Sequence, residues 1–189
     1  MRRAVPLLRT DFEGNPEGNQ CHTYGLSSWI PYYGQGTYYN DDQLVYAVRS
    51  HFCPAFGFCW DVRREGVDWA KFRRLTEDWR KIAPYLLGDF YPLTSYSQAN
   101  DVWMAWQFDR PDLGQGVVQA FRRADSPYES ARFKLRGLDP EARYIVIHLD
   151  VPGRTEATGR ELMEQGLRVV LEERPGAAIV IYQRMKDEG

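Results

Sequence analysis

Cysteine, histidine and concentrated charge are all scarce in this sequence, and each scarcity closes off a class of function. Of 189 residues only three are Cys and three are His. The cysteine count is odd, and Cys53 and Cys59 fall in one apolar run that reads as a strand. Six strand residues span roughly 20 Å, well beyond the roughly 7 Å Cα limit for a disulfide, so reduced thiols are expected. His22, His51 and His148 share no short ligand spacing with the cysteines, the pattern that usually announces a structural zinc site, so no metal is expected. Lys and Arg number 24 against 26 Asp and Glu, a net charge of -2. No run of five or six like charges occurs, and the electrostatic footprint of a nucleic-acid binder is missing. The longest charge-free stretches, such as Cys21 to Asn40, are full of Gly, Ser, Thr, Gln and Tyr, so no transmembrane helix is expected. The N-terminus, MRRAVPLLRTD, has a short apolar patch and no small-residue cleavage site, so no secretory signal is read there and a cytoplasmic location is expected. Repeats and low-complexity tracts are absent.

What is present is a chain of 43% hydrophobic and 26% charged composition, long enough for one or two packed cores. Its aromatics are unevenly placed: all six Trp, nine of twelve Tyr and seven of nine Phe precede residue 111. Two kinds of domain are therefore expected to share the chain.

In the first half, residues 52–60 (FCPAFGFCW) form a nearly continuous apolar run, as in a parallel strand buried on both faces. Asp68 can cap a helix whose apolar positions Trp69, Phe72, Leu75, Trp79, Ile82 and Leu86 step by three or four, with Gly88 as a stop. Residues 23–30 (TYGLSSWI) read as an earlier strand and Gln43 to Ser50 as a helix. A short strand is expected to end at Arg9-Thr10-Asp11. About three strand-loop-helix units follow, and hence a parallel sheet with polar loops at its strand ends. From residue 101 the period changes to two: Val102, Met104, Trp106 and Phe108 alternate with Trp103, Ala105 and Gln107. Similar segments at 117–122, 132–138, 144–150, 167–172 and 178–184, with turn chemistry at Asp139-Pro140 and Pro175-Gly176, indicate an antiparallel sandwich or barrel. The expected division is 1–88, a linker at 89–98, and 99–189.

The runs RRAVPLLRTDF, QCHTYGLSSWIPYYG, FGFCWDV and GDFYPLTSY, followed by AWQFDRPD, GVVQAFRR, LRGLDPEARY and GRELMEQGL, resemble in order the C-terminal portion of glycoside hydrolase family 36, the α-galactosidases. The resemblance implies an α/β plus all-β chain: the last three or so βα units of a partial (β/α)8 barrel, then a C-terminal β-sandwich. It also implies hydrolysis of terminal α-galactosides with retention, no cofactor, an oligosaccharide partner ending in α-galactose, and a possible homo-oligomer. Arg9-Thr10-Asp11 matches the family's acid/base segment, so Asp11 is the candidate catalytic acid/base. The family's nucleophile segment and its glycine-rich sugar-binding segment are expected upstream of residue 1. A complete barrel needs at least about 200 residues, so these 189 are expected to be inactive by themselves, as a fragment or as a non-catalytic accessory protein.

Each candidate has a plainer alternative. Asp11 can close a strand or cap a turn. Trp60 can stack on a sugar or simply fill a core. Tyr32 and Tyr33, with Tyr38 and Tyr39, lie among glycines in what reads as a loop at the barrel top, either a sugar-binding rim or a dimer contact. His22 at a strand start favours packing over chemistry. Asp61 as a stand-in nucleophile and Cys21 as a nucleophile are the weakest readings, since no His partner pattern supports the latter. Arg122, Arg123, Arg132 and Arg136 are expected on a solvated face.

Overall fold

The computed structural model describes residues 7–9, 15–37 and 43–186. Asp11, Tyr38 and Tyr39 lie outside the described residues.

The first half is a run of strand and helix in alternation: β1 (Leu7–Arg9), α1 (Pro16–Ser27), β2 (Tyr33–Thr37), α2 (Leu44–Ser50), β3 (Ala55–Phe58) and α3 (Trp69–Ile82). The three strands form one parallel sheet in the order β1-β2-β3, with Leu8 opposite Gly34 and Gly36 opposite Gly57. The expected parallel βα arrangement is present, and α3 starts where the sequence placed it, with the Asp68 carboxylate accepting from the Lys71 amide at 2.9 Å.

Two expectations are overturned. Residues 23–30 are not a strand: most of them belong to α1. The local cause is the Asn15-Pro16-Glu17 start, where Asn15 Oδ1 accepts from the Gly18 amide at 3.0 Å, Pro16 occupies the first turn, and Glu17 adds an anion near the positive helix end. Periodicity missed it because the buried face of α1 is polar: Asn19, Gln20 and Thr23. Conversely, the glycine-rich stretch read as a loop contains β2, YGQGT, a strand with almost no apolar side chains.

The second half holds β4 (Asp89–Pro92), β5 (Trp103–Arg110), β6 (Gln115–Arg122), β7 (Ser130–Phe133), β8 (Arg143–His148), β9 (Thr155–Thr158), α4 (Gly159–Glu164), β10 (Leu167–Val170) and β11 (Gly176–Arg184). A six-stranded antiparallel sheet runs β4-β5-β6-β11-β8-β9, and β7 pairs with β10 in a separate ribbon. β4 lies in the 89–98 stretch and pairs with β5, Phe90 opposite Phe108.

The alternation along these strands sorts their side chains into two cores. Ala105, Val118, Ala120, Val146, Ala178 and Val180 face the β7–β10 ribbon, where Phe133, Leu167 and Val169 close a sandwich. Met104, Trp106, Phe108, Val117, Phe121, Ile179 and Ile181 face the other way, against Leu44, Tyr46 and Val48 of α2 and Phe72, Leu75 and Ile82 of α3. The six-stranded sheet is thus apolar on both faces, and one of its cores is shared with the first half. Trp106 lies fully buried in that shared core, 5.1 Å from the Phe121 ring, its indole N–H donating to Gln119 Oε1 at 2.8 Å.

An ionic contact reinforces this junction. Arg49, 1% exposed, donates to Asp78 of α3 at 3.1 Å, to both carboxylate oxygens of Asp150 at 2.5 and 2.8 Å, and to the Ala177 carbonyl at 2.9 Å. Desolvation opposes its charge, but the two carboxylates outweigh that cost and hold the guanidinium's pKa above its ordinary value.

Candidate functional site

In a parallel sheet whose strands alternate with helices, chemistry is expected beyond the C-terminal ends of the strands. Here those ends are Arg9 of β1, Thr37 of β2 and Phe58 of β3. Among the described residues, the helix contacts made by β2 and β3 side chains lie on one face of the sheet. Tyr33 exchanges a 2.6 Å hydrogen bond with Ser27 of α1, and Gln35 donates to Asn19 of α1. Phe56 packs on Trp79 and Phe58 on Phe72, both of α3. By the alternation of strand side chains, Gly34, Gly36, Ala55 and Gly57 point to the opposite face. A Cβ on Gly57 would have nothing within 4 Å, whereas one on Gly36 would collide with Cys59 Sγ. That second face is therefore lined by the smallest side chains and is open at Gly57.

Between the sheet and its helices lies a buried polar network. His51 Nδ1 is 2.6 Å from the Ala47 carbonyl, an acceptor, so Nδ1 carries the proton and Nε2 accepts from Asn19 Nδ2 at 3.1 Å. The two contacts fix the orientation of the imidazole within the helix layer. Glu17 accepts from the Tyr46 hydroxyl at 2.8 Å, and burial followed by the Glu17 charge pushes that phenol far above its usual range.

The residues singled out from the sequence are dispersed. Trp60 follows the C-terminal end of β3, where barrel sites lie, but its ring is packed 5.4 Å from both Trp69 and Phe72. Tyr32 and Tyr33 precede and open β2, so they sit at the end of the sheet opposite the one where β1 and β3 finish. Tyr33 is 1% exposed with its hydroxyl bound to Ser27. Asp61 is exposed and engaged by Arg63 through two side-chain contacts of 2.9 Å, which lower its pKa; it is a solvated ion pair. His22 lies in α1, not at a strand start. No disulfide links the three cysteines.

Arg122 and Arg123, expected on a solvated face, are 3% and 0% exposed, whereas Arg132 and Arg136 are exposed. Arg122 donates to the carbonyls of Leu171 and Glu172 at 2.7 and 2.8 Å. Arg123 donates to the carbonyls of Ser97 and Ala99 at 3.0 and 2.6 Å and to Gln20 Oε1 at 3.2 Å. Both arginines thus tie connecting segments to the end of β6 through main-chain carbonyls. The Arg-Arg pair at the end of β6 gave no periodic cue to this.

A cavity of about 620 Å³ lies between α1 and the connection from β4 to β5 and is lined by Asn15, Cys21, His22, Tyr96, Gln98 and Asn100, among others. Among the described residues no cluster of three His, Cys, Asp or Glu could hold a metal ion, and no helix is long and apolar enough to cross a membrane.

Residues 103–182, under half of the chain, match the model of the glycosyl hydrolase family 36 C-terminal domain. The fold is similar to that of a variant of the GH36 alpha-galactosidase AgaA from Geobacillus stearothermophilus in complex with raffinose, at 18% identity and a TM-score of 0.72, over 90% of this chain and 25% of that one. AgaB, another GH36 alpha-galactosidase of that organism, is similar at 20% identity and a TM-score of 0.67, over 90% and 24%. The alpha-galactosidase from Lactobacillus brevis gives 19% identity and 0.65, over 83% and 24%. The chain spans about a quarter of the length of these structures. No curated protein matches it.

Proposed function

We propose that the chain is the C-terminal part of a retaining glycoside hydrolase acting on terminal α-galactosides. In this reading, residues 1–88 are the last three βα units of a (β/α)8 barrel and Asp11 is its general acid/base. One observation supports it most: the fold likeness covers 90% of the chain, far more than the segment that matches the family model. The three βα units therefore fit the same architecture as the β domain that follows them. A parallel sheet ordinarily has both faces covered, and a Cβ added at Gly57 would meet nothing within 4 Å among the described residues.

Double displacement needs two carboxyl groups about 5–5.5 Å apart. Asp11, two residues past β1, protonates the glycosidic oxygen while a nucleophilic carboxylate from another strand attacks the anomeric carbon; it then takes the proton of the incoming water. The substrate is an oligosaccharide ending in α-galactose, of which raffinose is one to test. A cytoplasmic, cofactor-free and oligomeric enzyme goes with this reading.

The 189 residues alone carry one carboxylate of the pair and are expected not to turn over. The test is hydrolysis of an aryl α-galactoside by this chain and by the same residues expressed in frame with the preceding strands of such a barrel. No turnover by the first and turnover by the second is expected. Robust hydrolysis by the isolated chain overturns the fragment reading, and inactivity of both favours the alternative, a non-catalytic accessory domain.

A further inference from the structure

β4 is the edge strand by which the chain passes from α3 into the six-stranded sheet, and it is four residues long. Its register with β5 sets Asp89 directly opposite Asp109. Gly88 brings the two backbones together at that point, since a Cβ there would collide with the Asp109 carbonyl oxygen. Phe90 and Phe108, one residue along, point to the other face with their rings 5.3 Å apart. Apolar packing therefore holds the strand on one face while two carboxyl groups meet on the other, and like charges directly opposite repel.

The surroundings of Asp109, 3% exposed, give its charge no counterion. From β11 the Tyr182 hydroxyl donates to Asp109 Oδ1 at 2.5 Å, and Gln107 of β5 donates to that hydroxyl oxygen at 2.7 Å. β4 supplies Asp89 and Tyr91. The Tyr91 hydroxyl and Asp109 Oδ2 converge on Gly137, 3.2 and 3.3 Å from where a Cβ would stand. β8 supplies Tyr144, its ring 6.1 Å from that of Tyr182, and β6 faces Asp109 with Gly116. Segment 136–139 adds the exposed Arg136 and Asp139, and the β5–β6 turn adds Asp112. Two nearby arginines are committed elsewhere, Arg110 to Asp112 at 2.7 Å and Arg184 to Asp139 at 3.1 Å. Among the described residues neither Asp89 nor Asp109 forms an ion pair. Burial first, and then the charges of Asp89 and Asp112, raise the Asp109 carboxyl above its ordinary range against the Tyr182 hydrogen bond.

We infer that the Asp89–Asp109 pair is a proton-operated latch on β4, closed when Asp109 carries a proton and released when it does not. With the proton in place nothing opposes the Phe90–Phe108 packing, and the carboxyl is a donor beside the Tyr91 hydroxyl oxygen. Once the proton leaves, a buried anion stands opposite Asp89. Lifting β4 is the least disruptive way to hydrate it, because Tyr91 belongs to that edge strand whereas Gln107 and Tyr182 belong to central ones. The movement is short. Beyond β4 the chain is pinned again, where the Tyr24 hydroxyl donates to the Thr94 carbonyl at 2.9 Å and Arg123 donates to the carbonyls of Ser97 and Ala99. The latch thus sits between α3 and that pinned connection, where the two halves join, and it does not depend on the reaction proposed above.

Amide hydrogen exchange of the 189-residue chain tests it, read as protection relative to unstructured rates so that the chemical pH dependence cancels. The titration of Asp109 is followed in parallel through its carboxyl carbon resonance. Protection of residues 89–93, where the Leu93 amide donates to the Ala105 carbonyl at 3.0 Å, should fall about tenfold as pH rises through that titration, the equivalent of a one-unit pKa difference between latched and released strand. β6 and β11 should keep theirs. Asp109→Asn should make the protection of 89–93 independent of pH. Asp89→Asn, at an exposed position, should shrink the fall by about two- to fivefold, the scale of one like-charge cross-strand pair, and it keeps the test open if the Asp109 variant does not fold. An equal fall in β6 and β11, no fall in the parent chain, or a parental fall in either variant overturns the proposal.

Discussion

The parallel sheet of the first half and the six-stranded sheet of the second half bury their strands in opposite ways. The central strands β5, β6 and β11 carry apolar side chains on both faces, each face against its own core. β2 carries Tyr33 and Gln35 toward polar partners on α1 and only Gly34 and Gly36 on the other face. One sheet is held by area removed from water and is complete in itself. The other is held on its helix side by hydrogen bonds at β2 and by aromatic packing at β3, with glycine and alanine on the opposite face. The difference teaches that a helix and strand whose buried faces are polar are specified by hydrogen-bond complementarity, whereas the six-stranded sheet is specified by hydrophobic patterning.

The sharpest way to break this contrast is at the junction. Arg49→Leu removes the guanidinium that joins α2 to α3 and to the second half, leaving Asp78, 2% exposed, paired among the described residues with Lys81. A loss of about 3–5 kcal/mol is expected in urea unfolding, the range for removing one partner of a buried ionic group. The parent chain should unfold in one transition, because both halves share the Trp106 core. Two well-separated transitions would contradict that shared core. Asn19→Leu is the corresponding test of the polar layer. It takes the donor from His51 Nε2 and the acceptor from Gln35, and about 1–3 kcal/mol should be lost for each buried group left unsatisfied. A neutral outcome would mean that α1 is held by shape rather than by hydrogen bonds.

The smallest effect is a pH dependence within the β domain. Burial raises the Asp109 carboxyl above its ordinary value and outweighs the 2.5 Å hydrogen bond donated by Tyr182. Because the folded-state pKa lies above the unfolded one, the stabilising contribution is full below the unfolded pKa and is lost as pH rises through the folded value. Asp109→Asn should flatten that slope in thermal melts across the mildly acidic range. An unchanged slope would assign it to another group.

The same contrast decides what was legible in the sequence. The alternation at 102–108 and 117–122 anticipates β5 and β6, and the three-four spacing from Trp69 anticipates α3, because in those elements burial and hydrophobicity coincide. α1 and β2 were exchanged for strand and loop because Asn19, Gln20, Thr23 and Gln35 are buried yet polar, which inverts the usual signal. The cue that was present was local: Asn15-Pro16-Glu17 is a helix start whatever follows. β4 escaped because DFYP is too short to show a period. Burial of Arg122 and Arg123 depends on which loop carbonyls converge on them, and no spacing encodes that. The site follows the same line: Asp11 is named from its segment's resemblance, and no periodicity or spacing points to it.

The central claim is that Asp11 acts as acid/base in an α-galactosidase of which this chain is the C-terminal part. Its most direct test is the leaving-group dependence of Asp11→Asn in the complete enzyme. General acid catalysis contributes about 10²–10⁴-fold, and it matters most when the departing oxygen is basic. The variant should lose about that factor on α-galactosides with poor leaving groups such as sugars, lose much less on a nitrophenyl α-galactoside, and melt like the parent. Near-parental turnover on the sugar substrate, or equal losses on both, would contradict the assignment.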